Sequence, residues 1–344
     1  MPLVPPSGFR GRFRTDERAR AAYAEAAGIY RIVPQAACLP ADADDLVRLV
    51  RWAADFRVPL VPRGAGSAMP GGNVGDGVVV DLSSMAGPEL RVDPHARRAR
   101  MRAGATLGQL DAAAAPAGLR LPPDPSSSRW ATAGGAVSTN AAGARSARYG
   151  SVRGWVESVD MVTADGERVE LRRGAPASRV ATIRRFHEQV AASIRAAADL
   201  VARRFPQTRK NAAGYALDAW LRSGDELDLV IGAEGTLGFV TAVEWRLDPA
   251  PAERAGLRIA LREYGPLPDI VARLRALEAT AVELLDRTFL DIVGRHRPDE
   301  LPAGAGEMGA VLLVELEDDS RDVLAGRVGE ALAAARALGL DAEA

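Results

Sequence analysis

The stretch from residue 121 to residue 154 constrains the fold of this chain more than any other part of the sequence. It consists largely of glycine, serine, alanine and proline and contains almost no large apolar side chain. A segment of this length inside a compact domain is usually functional or disordered. Because charged residues are sparse in it, typical disorder is disfavoured. The sequence therefore predicts a loop-like, functional region between regular elements.

Regular elements are predicted on both sides of this region. Asp44–Phe56 has apolar residues near 3.6-residue spacing and predicts an amphipathic helix, with Asp44 as a candidate cap. Thr106 is predicted to cap a helix that ends near Gly118. Further helices are predicted at 179–204, 267–280 and 322–338, and strands at 58–61, 77–82, 98–103, 156–163, 167–171, 229–231, 239–247, 257–261, 282–285 and 310–316.

The length of 344 residues suggests about two domains. Residues 1–33 are polar and proline-bearing and predict a leader that lies on the first domain. After Pro249 and Pro251 the pattern changes to alternating strand-like and helix-like segments, which predicts an α+β second domain.

Composition excludes several classes of protein. The formal net charge of −1 gives no general attraction for nucleic acid. The single cysteine, Cys38, excludes an intrachain disulfide and a cysteine-ligated iron–sulfur cluster. His95, His187 and His296 have no metal-ligand spacing, so no metal site is expected. With no apolar run of about 20 residues and no signal-peptide core, we expect a soluble protein in the cytoplasm, with peripheral association at the inner membrane face as an alternative.

The first candidate motif is Arg63-Gly-Ala-Gly-Ser67, which follows a predicted strand. Clustered glycines allow backbone N–H groups to converge on an anion without obstruction by Cβ atoms. The motif is not a Walker A sequence, because no Gly-Lys-Ser or Gly-Lys-Thr follows it. A tight surface loop is the alternative interpretation of this motif.

The second candidate motif lies within the loop-like region. It runs through Pro122–Ser126, Gly134-Gly135, Ser138–Gly143 and Tyr149–Ser151. Small residues would let a large flat ligand lie against the backbone, and the Ser, Thr and Asn side chains offer hydrogen bonds to it. A flexible linker is the alternative interpretation.

The third candidate comprises Arg209–Tyr215 and Gly232–Gly238. The alternatives are a basic helix terminus for the first segment and a turn between strands for the second. One of the 44 lysines and arginines is a lysine, Lys210, and it lies in this motif. A structural salt bridge would accept arginine equally well, so the sole lysine indicates a role near a ligand.

The order and spacing of these motifs resemble the FAD-linked oxidases of the vanillyl-alcohol-oxidase type, which have a PCMH-type flavin domain. Within that superfamily the chain is most similar to the D-2-hydroxyacid dehydrogenase branch, which includes D-lactate dehydrogenase and the glycolate oxidase catalytic subunit. The segments that carry the resemblance are VPLVPRGAGSAMPGG, GGAVSTNAAGARSARYGSV, RKNAAGYAL and VIGAEGTLGFVT.

The resemblance implies an α+β fold: a PCMH-type FAD-binding domain at 34–250, made of two α/β subdomains at about 34–97 and 98–250. A partial, ferredoxin-like substrate cap would follow at 251–344. The resemblance further implies that backbone amides hold the FAD pyrophosphate. The cofactor-binding residues it implies are Arg63, Gly64, Ala65, Gly66, Ser67, Pro123, Asp124, Ser126, Gly134, Gly135, Ser138, Thr139, Asn140, Gly143, Tyr149, Gly150, Ser151, Glu234, Gly235 and Thr236.

The sequence departs from the family pattern in two places. Covalent members carry a histidine where this chain has Ser67, so noncovalent FAD is expected. The hydroxyacid branch also carries an H-x-G-D-G-N-x-H metal motif, which does not occur here. We therefore expect a fragment, a split-gene product or an unusually short relative.

The activity implied by the resemblance is oxidation of a D-2-hydroxy acid to the 2-oxo acid by hydride transfer to the flavin N5. Lys210 and Tyr215 are the candidate residues on the substrate side, and no base is assigned. Electrons would leave to oxygen, a quinone, a carrier protein or a partner subunit. The alternatives are a noncatalytic flavin subunit of a glycolate-oxidase-like complex, or alcohol or sugar oxidation on the same fold.

Overall fold

The structure is a computed structural model that describes residues 3–87, 89–208, 210–301 and 307–344. The chain divides into two compact units. The first unit comprises Met1–Ala141 and Ser151–Pro249, and the second comprises Ala142–Gly150 and Ala250–Ala344.

The first sheet of the first unit has four strands in the order β1-β2-β4-β3. Strands β2, β4 and β3 are parallel, and β1 is antiparallel to β2. Residues 1–33, expected as a leader, thus contribute an edge strand. This sheet and its helices consist of β1 (Arg12–Arg14), α1 (Glu17–Ala22), β2 (Ala36–Leu39), α2 (Ala43–Phe56), β3 (Leu60–Arg63) and β4 (Val78–Asp81).

Helix α2 is confirmed, although its cap is Asp42 rather than Asp44. The Asp42 carboxylate accepts from the N–H groups of Asp44 and Asp45, which satisfies two donors of the first turn. The apolar face of the helix, which includes Leu46 and Leu49, packs in one hydrophobic core with β2 and β4.

The second sheet of the first unit is antiparallel throughout, in the order β5-β6-β10-β8-β9. The predicted hairpin through Ala-Asp-Gly is confirmed as the β8–β9 pair. A two-residue pair, β7 (Leu119–Arg120) with β11 (Asp248–Pro249), lies apart from this sheet. The five strands of the second sheet are β5 (Arg91–Asp93), β6 (Arg98–Arg102), β8 (Val156–Thr163), β9 (Arg168–Arg172) and β10 (Gly238–Arg246).

Three expectations about local structure are wrong. The loop-like region contains two short helices, α4 (Ala133–Ser138) and α5 (Ser146–Tyr149). The first of them is capped by the side chain of Thr132. The single helix predicted at 179–204 is interrupted at Val190 and at Ala197 and forms three short helices, of which the first two share a core with the buried Trp220. The strand predicted at 229–231 is the end of α10, since a short apolar run fits a helix as well as a strand.

The helix that Thr106 was predicted to cap is confirmed as α3, and it continues as a 3₁₀ turn to Gly118. Helix α5 is part of the second unit, and the other helices named here are part of the first. Their bounds are α3 (Leu107–Ala114), α4 (Ala133–Ser138), α5 (Ser146–Tyr149), α6 (Ala181–Gln189), α7 (Ala191–Ala196), α8 (Ala198–Arg204), α9 (Leu217–Ser223) and α10 (Glu226–Val230).

The second unit has an antiparallel sheet in the order β13-β14-β12-β15. Helices α11 and α13 share its hydrophobic core, so the chain follows a β-α-β-β-α-β path of the ferredoxin-like type, with α12 added before β14. These elements are β12 (Glu253–Leu261), α11 (Leu267–Ala276), β13 (Ala281–Asp286), α12 (Arg287–His296), β14 (Ala310–Asp318), α13 (Arg321–Ala337) and β15 (Asp341–Glu343).

Candidate cofactor-binding site

The loop that follows β3 offers unpaired backbone donors. Among the described residues, the N–H groups of Gly64, Ala65, Gly66 and Ser67 have no hydrogen-bond acceptor. The carbonyl of Gly66, in contrast, accepts from the N–H of Ala27 at 3.0 Å. Successive N–H groups without acceptors form the kind of concavity that binds phosphate. The loop therefore has the donors that a diphosphate requires.

The two glycines of this loop are needed for different reasons. A Cβ on Gly64 would lie 2.1 Å from Oγ1 of Thr132, so the close approach of α4 excludes a side chain there. Gly66 has φ of +73°, and a Cβ there would lie 2.7 Å from Nη2 of Arg63. A positive φ disfavours L side chains at Gly66, whereas at Gly64 the obstacle is the threonine.

Arg63 is held at the base of the loop by a tyrosine that the sequence did not single out. Its guanidinium lies 5.4 Å from the ring centroid of Tyr23 and donates to the Tyr23 carbonyl at 3.4 Å. The Tyr23 hydroxyl donates to Asp81 at 2.7 Å. Burial lowers the pKa of Arg63, while burial and Asp81 raise the pKa of Tyr23. A cation thus lies behind the loop, next to Gly66.

Helix α4 contributes close packing to the site rather than free hydrogen-bond donors. The N–H of Gly134 donates to the Ala103 carbonyl at 2.9 Å, and that of Gly135 donates to Oγ1 of Thr132 at 3.3 Å. A Cβ on Gly134 would lie 2.9 Å from the Ala103 Cβ. These two glycines therefore allow close packing, and their amides are already used by the protein.

The loop at 232–236, which lies between α10 and β10 in the sequence, contacts both α4 and β3. The N–H of Gly232 donates to the Val137 carbonyl at 2.9 Å, and that of Glu234 donates to the Ser138 carbonyl at 2.8 Å. Gly235 has φ of +82°, and a Cβ there would lie 2.8 Å from Cγ of Pro62. The structure thus brings three of the predicted motifs together in the first unit.

The polar residues around α4 also bond mainly to the protein. The Thr139 hydroxyl donates to the Gly135 carbonyl at 3.0 Å. The carboxamide of Asn140 bonds to the N–H of Arg153 and to the carbonyl of Asn211. Ser151 precedes a 3₁₀ turn at Val152–Trp155.

The turn at 123–128 lies beside the start of α3. Asp124 has φ of +43°, and the N–H of Ser128 donates to the Pro125 carbonyl at 2.8 Å. The N–H of Gly108 then donates to the Ser128 carbonyl at 2.8 Å. Pro123 is buried and Ser126 is exposed in this turn.

The two candidate catalytic residues lie in an exposed segment. The Tyr215 hydroxyl lies 2.7 Å from the Thr236 hydroxyl, which connects this segment to the 232–236 loop. Lys210 is exposed, and its carbonyl accepts from the Thr208 hydroxyl at 3.1 Å. Arg209, which begins the motif, lies outside the described residues.

Gly143, Tyr149 and Gly150 belong to the second unit. The Tyr149 hydroxyl donates to Glu317 of β14 at 3.1 Å. Arg145, on the same segment, forms an ion pair with Glu315 at 2.7 Å. This segment is therefore packed against the sheet of the second unit.

The residues of the first unit fit a bound FAD. Besides the free N–H groups after β3, the side-chain oxygen of Asn73 is buried and has no partner among the described residues. A buried amide oxygen without a partner is costly unless a ligand satisfies it. Asn73 lies in the same glycine-rich segment, and no pattern in the sequence indicated it.

Other kinds of site find less support in the described residues. There, no group of three or more His, Cys, Asp or Glu side chains is placed to hold a metal ion. His187 instead bonds to Glu226 at 2.6 Å. No helix in the described part of the chain has the length and apolar character needed to cross a membrane.

Comparison with known proteins identifies the cofactor domain. Residues 34–172 match the family described as FAD binding domain. The chain carries an FAD-binding domain. Alkyldihydroxyacetonephosphate synthase has a similar structure, with a TM-score of 0.66, 17% identity and coverage of 96% of this chain and 57% of that one. Physcomitrella patens BBE-like 1 is similar with a TM-score of 0.63 and 17% identity, covering 97% of this chain and 60% of that one. The expected PCMH-type, α+β fold is thus confirmed.

Three relatives of the FAD-binding chain agree with the branch inferred from its motifs. D-2-hydroxyglutarate dehydrogenase of Pseudomonas putida is 34% identical over 86% of this chain and 31% of that protein. D-lactate dehydrogenase of Archaeoglobus fulgidus is 27% identical over 86% of this chain and 57% of that protein. Glycolate oxidase subunit GlcD of Bacillus subtilis is 29% identical over 83% of this chain and 52% of that protein. The chain therefore spans about a third to just over half of the length of these relatives.

Proposed function

We propose that this chain is an FAD-dependent oxidoreductase, or the flavin-bearing portion of one. It oxidises a D-2-hydroxy acid such as D-lactate, glycolate or D-2-hydroxyglutarate to the 2-oxo acid. The observation that carries the proposal is the loop of four free N–H groups after β3, inside a domain whose relatives are named for these substrates. FAD, when bound, supplies the acceptor for the hydride of the substrate.

The protein's part in cofactor binding is mainly backbone donation. The N–H groups of residues 64–67 would bind the diphosphate, and the charge of Arg63 would lower the cost of bringing two phosphate charges together. The Asn73 carboxamide would accept from a donor of the cofactor. Ser67 stands where covalent relatives have histidine, which supports noncovalent FAD.

On the substrate side we propose Lys210 and Tyr215. A lysine ammonium is a compact charge that could pair with a substrate carboxylate. The Tyr215 hydroxyl, anchored to Thr236, could orient the hydroxyl of the substrate. No residue of the chain is assigned as the base.

The remaining parts of the proposal concern organisation. Residues 34–250 would be the FAD-binding domain, and 251–344 part of a substrate cap. Electrons would pass to oxygen, a quinone, a carrier protein or a partner subunit, and the protein would work in the cytoplasm or at the inner membrane face. A homo-oligomer or a complex with a partner subunit is compatible with this organisation.

The experiment is anaerobic reduction of the purified yellow protein. Bleaching of the flavin absorbance by D-lactate, glycolate or D-2-hydroxyglutarate is expected, with L-lactate and L-2-hydroxyglutarate as matched controls. A protein that binds FAD and bleaches with dithionite but with none of these acids would contradict the proposed activity.

A second candidate is a noncatalytic FAD-binding subunit of a glycolate-oxidase-like complex. The observation that favours it is the similarity to glycolate oxidase subunit GlcD, which is named as a subunit. In that case the inert protein would become reducible by glycolate once mixed with its catalytic partner.

A further inference from the structure

Asn140 is a buried asparagine whose side chain is used at both ends. It is 4% exposed and adopts a φ of +46°, which asparagine tolerates better than most residues. Its Oδ1 accepts from the N–H of Arg153 at 3.2 Å. Its Nδ2 donates to the carbonyl of Asn211, 71 residues along the chain, at 3.1 Å. Both ends of the carboxamide are thus bonded to the protein.

Arg153 extends this contact to the 232–236 loop. Its guanidinium donates to the Asp228 carbonyl at 2.6 Å and to the carbonyl of Ile231. Gly232 follows directly, and a Cβ there would lie 3.3 Å from the Asn140 Cβ. Asn140 is therefore packed where the end of α4, Arg153 and the 232–236 loop meet.

The segment that Asn140 reaches carries the single lysine. The other hydrogen bonds that the structure describes for residues 210–214 are local, from the Thr208 hydroxyl to the Lys210 carbonyl and from the Ala213 N–H to the Asn211 side chain. Within residues 210–214 as described, the bond from Asn140 is the hydrogen bond that reaches a distant element, and the adjoining Tyr215 is bonded to Thr236. A buried donor on a rigid helix end can fix the backbone of an exposed segment.

We propose that Asn140 is a positioning residue that fixes the Lys210–Asn211 backbone, rather than a ligand of FAD. Its carboxamide holds the Asn211 carbonyl and so sets where Lys210 projects. The consequence for catalysis rests on the proposed role of Lys210, whereas the anchoring itself does not.

The single lysine provides a direct test, because endoproteinase Lys-C can cut this chain at one bond, between Lys210 and Asn211. The variants are Asn140→Gly, which tolerates the positive φ, and Asn140→Asp, which keeps the volume and the acceptor for Arg153 but loses the donor. Thr241→Val is the matched control. Thr241 of β10 is also buried, and its hydroxyl donates to the backbone carbonyl of Asp160 on β8 at 3.1 Å.

We expect both Asn140 variants to be cleaved roughly tenfold faster than the wild type into residues 1–210 and 211–344, because proteolysis follows local opening. Thr241→Val should be cleaved at close to the wild-type rate. Equal cleavage rates in Asn140→Asp and Thr241→Val would overturn the proposal. Faster cleavage of both Asn140 variants that is fully explained by their loss of overall stability would also overturn it.

FAD binding and turnover separate the two possible roles of Asn140. For a positioning residue, the FAD dissociation constant should stay within about twofold of the wild-type value, while kcat falls several-fold at full FAD occupancy. An FAD dissociation constant raised about tenfold without faster cleavage would make Asn140 a cofactor ligand instead. If no hydroxy acid reduces the wild-type flavin, the proposed function fails, yet the cleavage result still decides the anchoring.

Discussion

Replacing Gly64 by alanine tests how closely α4 approaches the loop after β3. The new Cβ would lie 2.1 Å from Oγ1 and 3.3 Å from Cβ of Thr132, which is 3% exposed. Thr132 must therefore move, and its hydroxyl would leave the N–H of Gly135 that it caps. Losing such a cap costs about 1 kcal/mol, and overpacking of this kind costs about 1–3 kcal/mol. We expect Gly64→Ala to lose about 2–4 kcal/mol of unfolding free energy.

A double-mutant cycle isolates this contact. Thr132→Ala alone should cost about 1 kcal/mol as a lost cap. It also removes Oγ1, so the Cβ at 3.3 Å becomes the nearest atom to the new methyl group, and a shift of a few tenths of an ångström relieves the clash. The double variant should therefore be about as stable as Thr132→Ala, so the favourable coupling should equal the cost of Gly64→Ala, about 2–4 kcal/mol.

Tryptophan fluorescence during urea unfolding measures these free energies for the first unit, because all five tryptophans lie in it. FAD titration of the same variants reports the loop itself, and the affinity lost in Gly64→Ala should return in the double variant. Additive free energies in the cycle, or a Gly64→Ala protein as stable as the wild type, would refute the proximity of Gly64 and Thr132 as the reason for this glycine.

Three further predictions follow from the same geometry. Acid precipitation should release all flavin into the supernatant, because Ser67 offers no covalent attachment, and flavin in the pellet would refute this. Lys210→Arg should lower turnover at normal FAD content, about tenfold for each 1.4 kcal/mol of transition-state stabilisation lost. Turnover of this variant at the wild-type rate would contradict a role of Lys210 in catalysis. Asp228→Asn should cost about 3–5 kcal/mol in urea unfolding, since it leaves Arg153 and Arg173 without their buried carboxylate. Burial alone would raise the pKa of Asp228, but the two arginines outweigh burial and lower that pKa. The stabilisation by the Asp228 carboxylate is therefore complete above about pH 4 and is lost as the pH falls through the lowered pKa. The asparagine variant should lack this loss of stability at low pH.

The local sequence pattern was sufficient to predict an element where one face of that element packs in a single hydrophobic core. Helix α2 followed from its apolar spacing, and the β8–β9 hairpin followed from its turn. Pattern failed at 179–204, where alanine and arginine favour one continuous helix. The chain instead departs from helical geometry at Val190 and at Ala197, and the helices on either side of Val190 share a core with Trp220. Local propensity could not indicate that contact, because Trp220 lies farther along the chain.

The candidate site was predictable as a set of segments but not as a set of contacts. Tyr23 and Asp81 are 58 residues apart, so no local spacing could indicate that they hold Arg63 from behind. Asn140 shows the same limit: its polar side chain in a small-residue motif suggested a ligand contact, whereas the bonds of its carboxamide to Arg153 and Asn211 could not be read from local pattern.

The glycines of this loop leave backbone donors for the diphosphate binding that we propose for a chain with one lysine. Gly64 lets Thr132 and α4 approach the loop, and Gly66 turns the backbone above Arg63, so four N–H groups are left without acceptors. An anion that accepts from these N–H groups would stabilise the loop. Arg63 adds a positive charge beside Gly66, where Tyr23 holds its guanidinium. Under the proposed function, backbone donors with a fixed cation beside them take the place of lysine side chains.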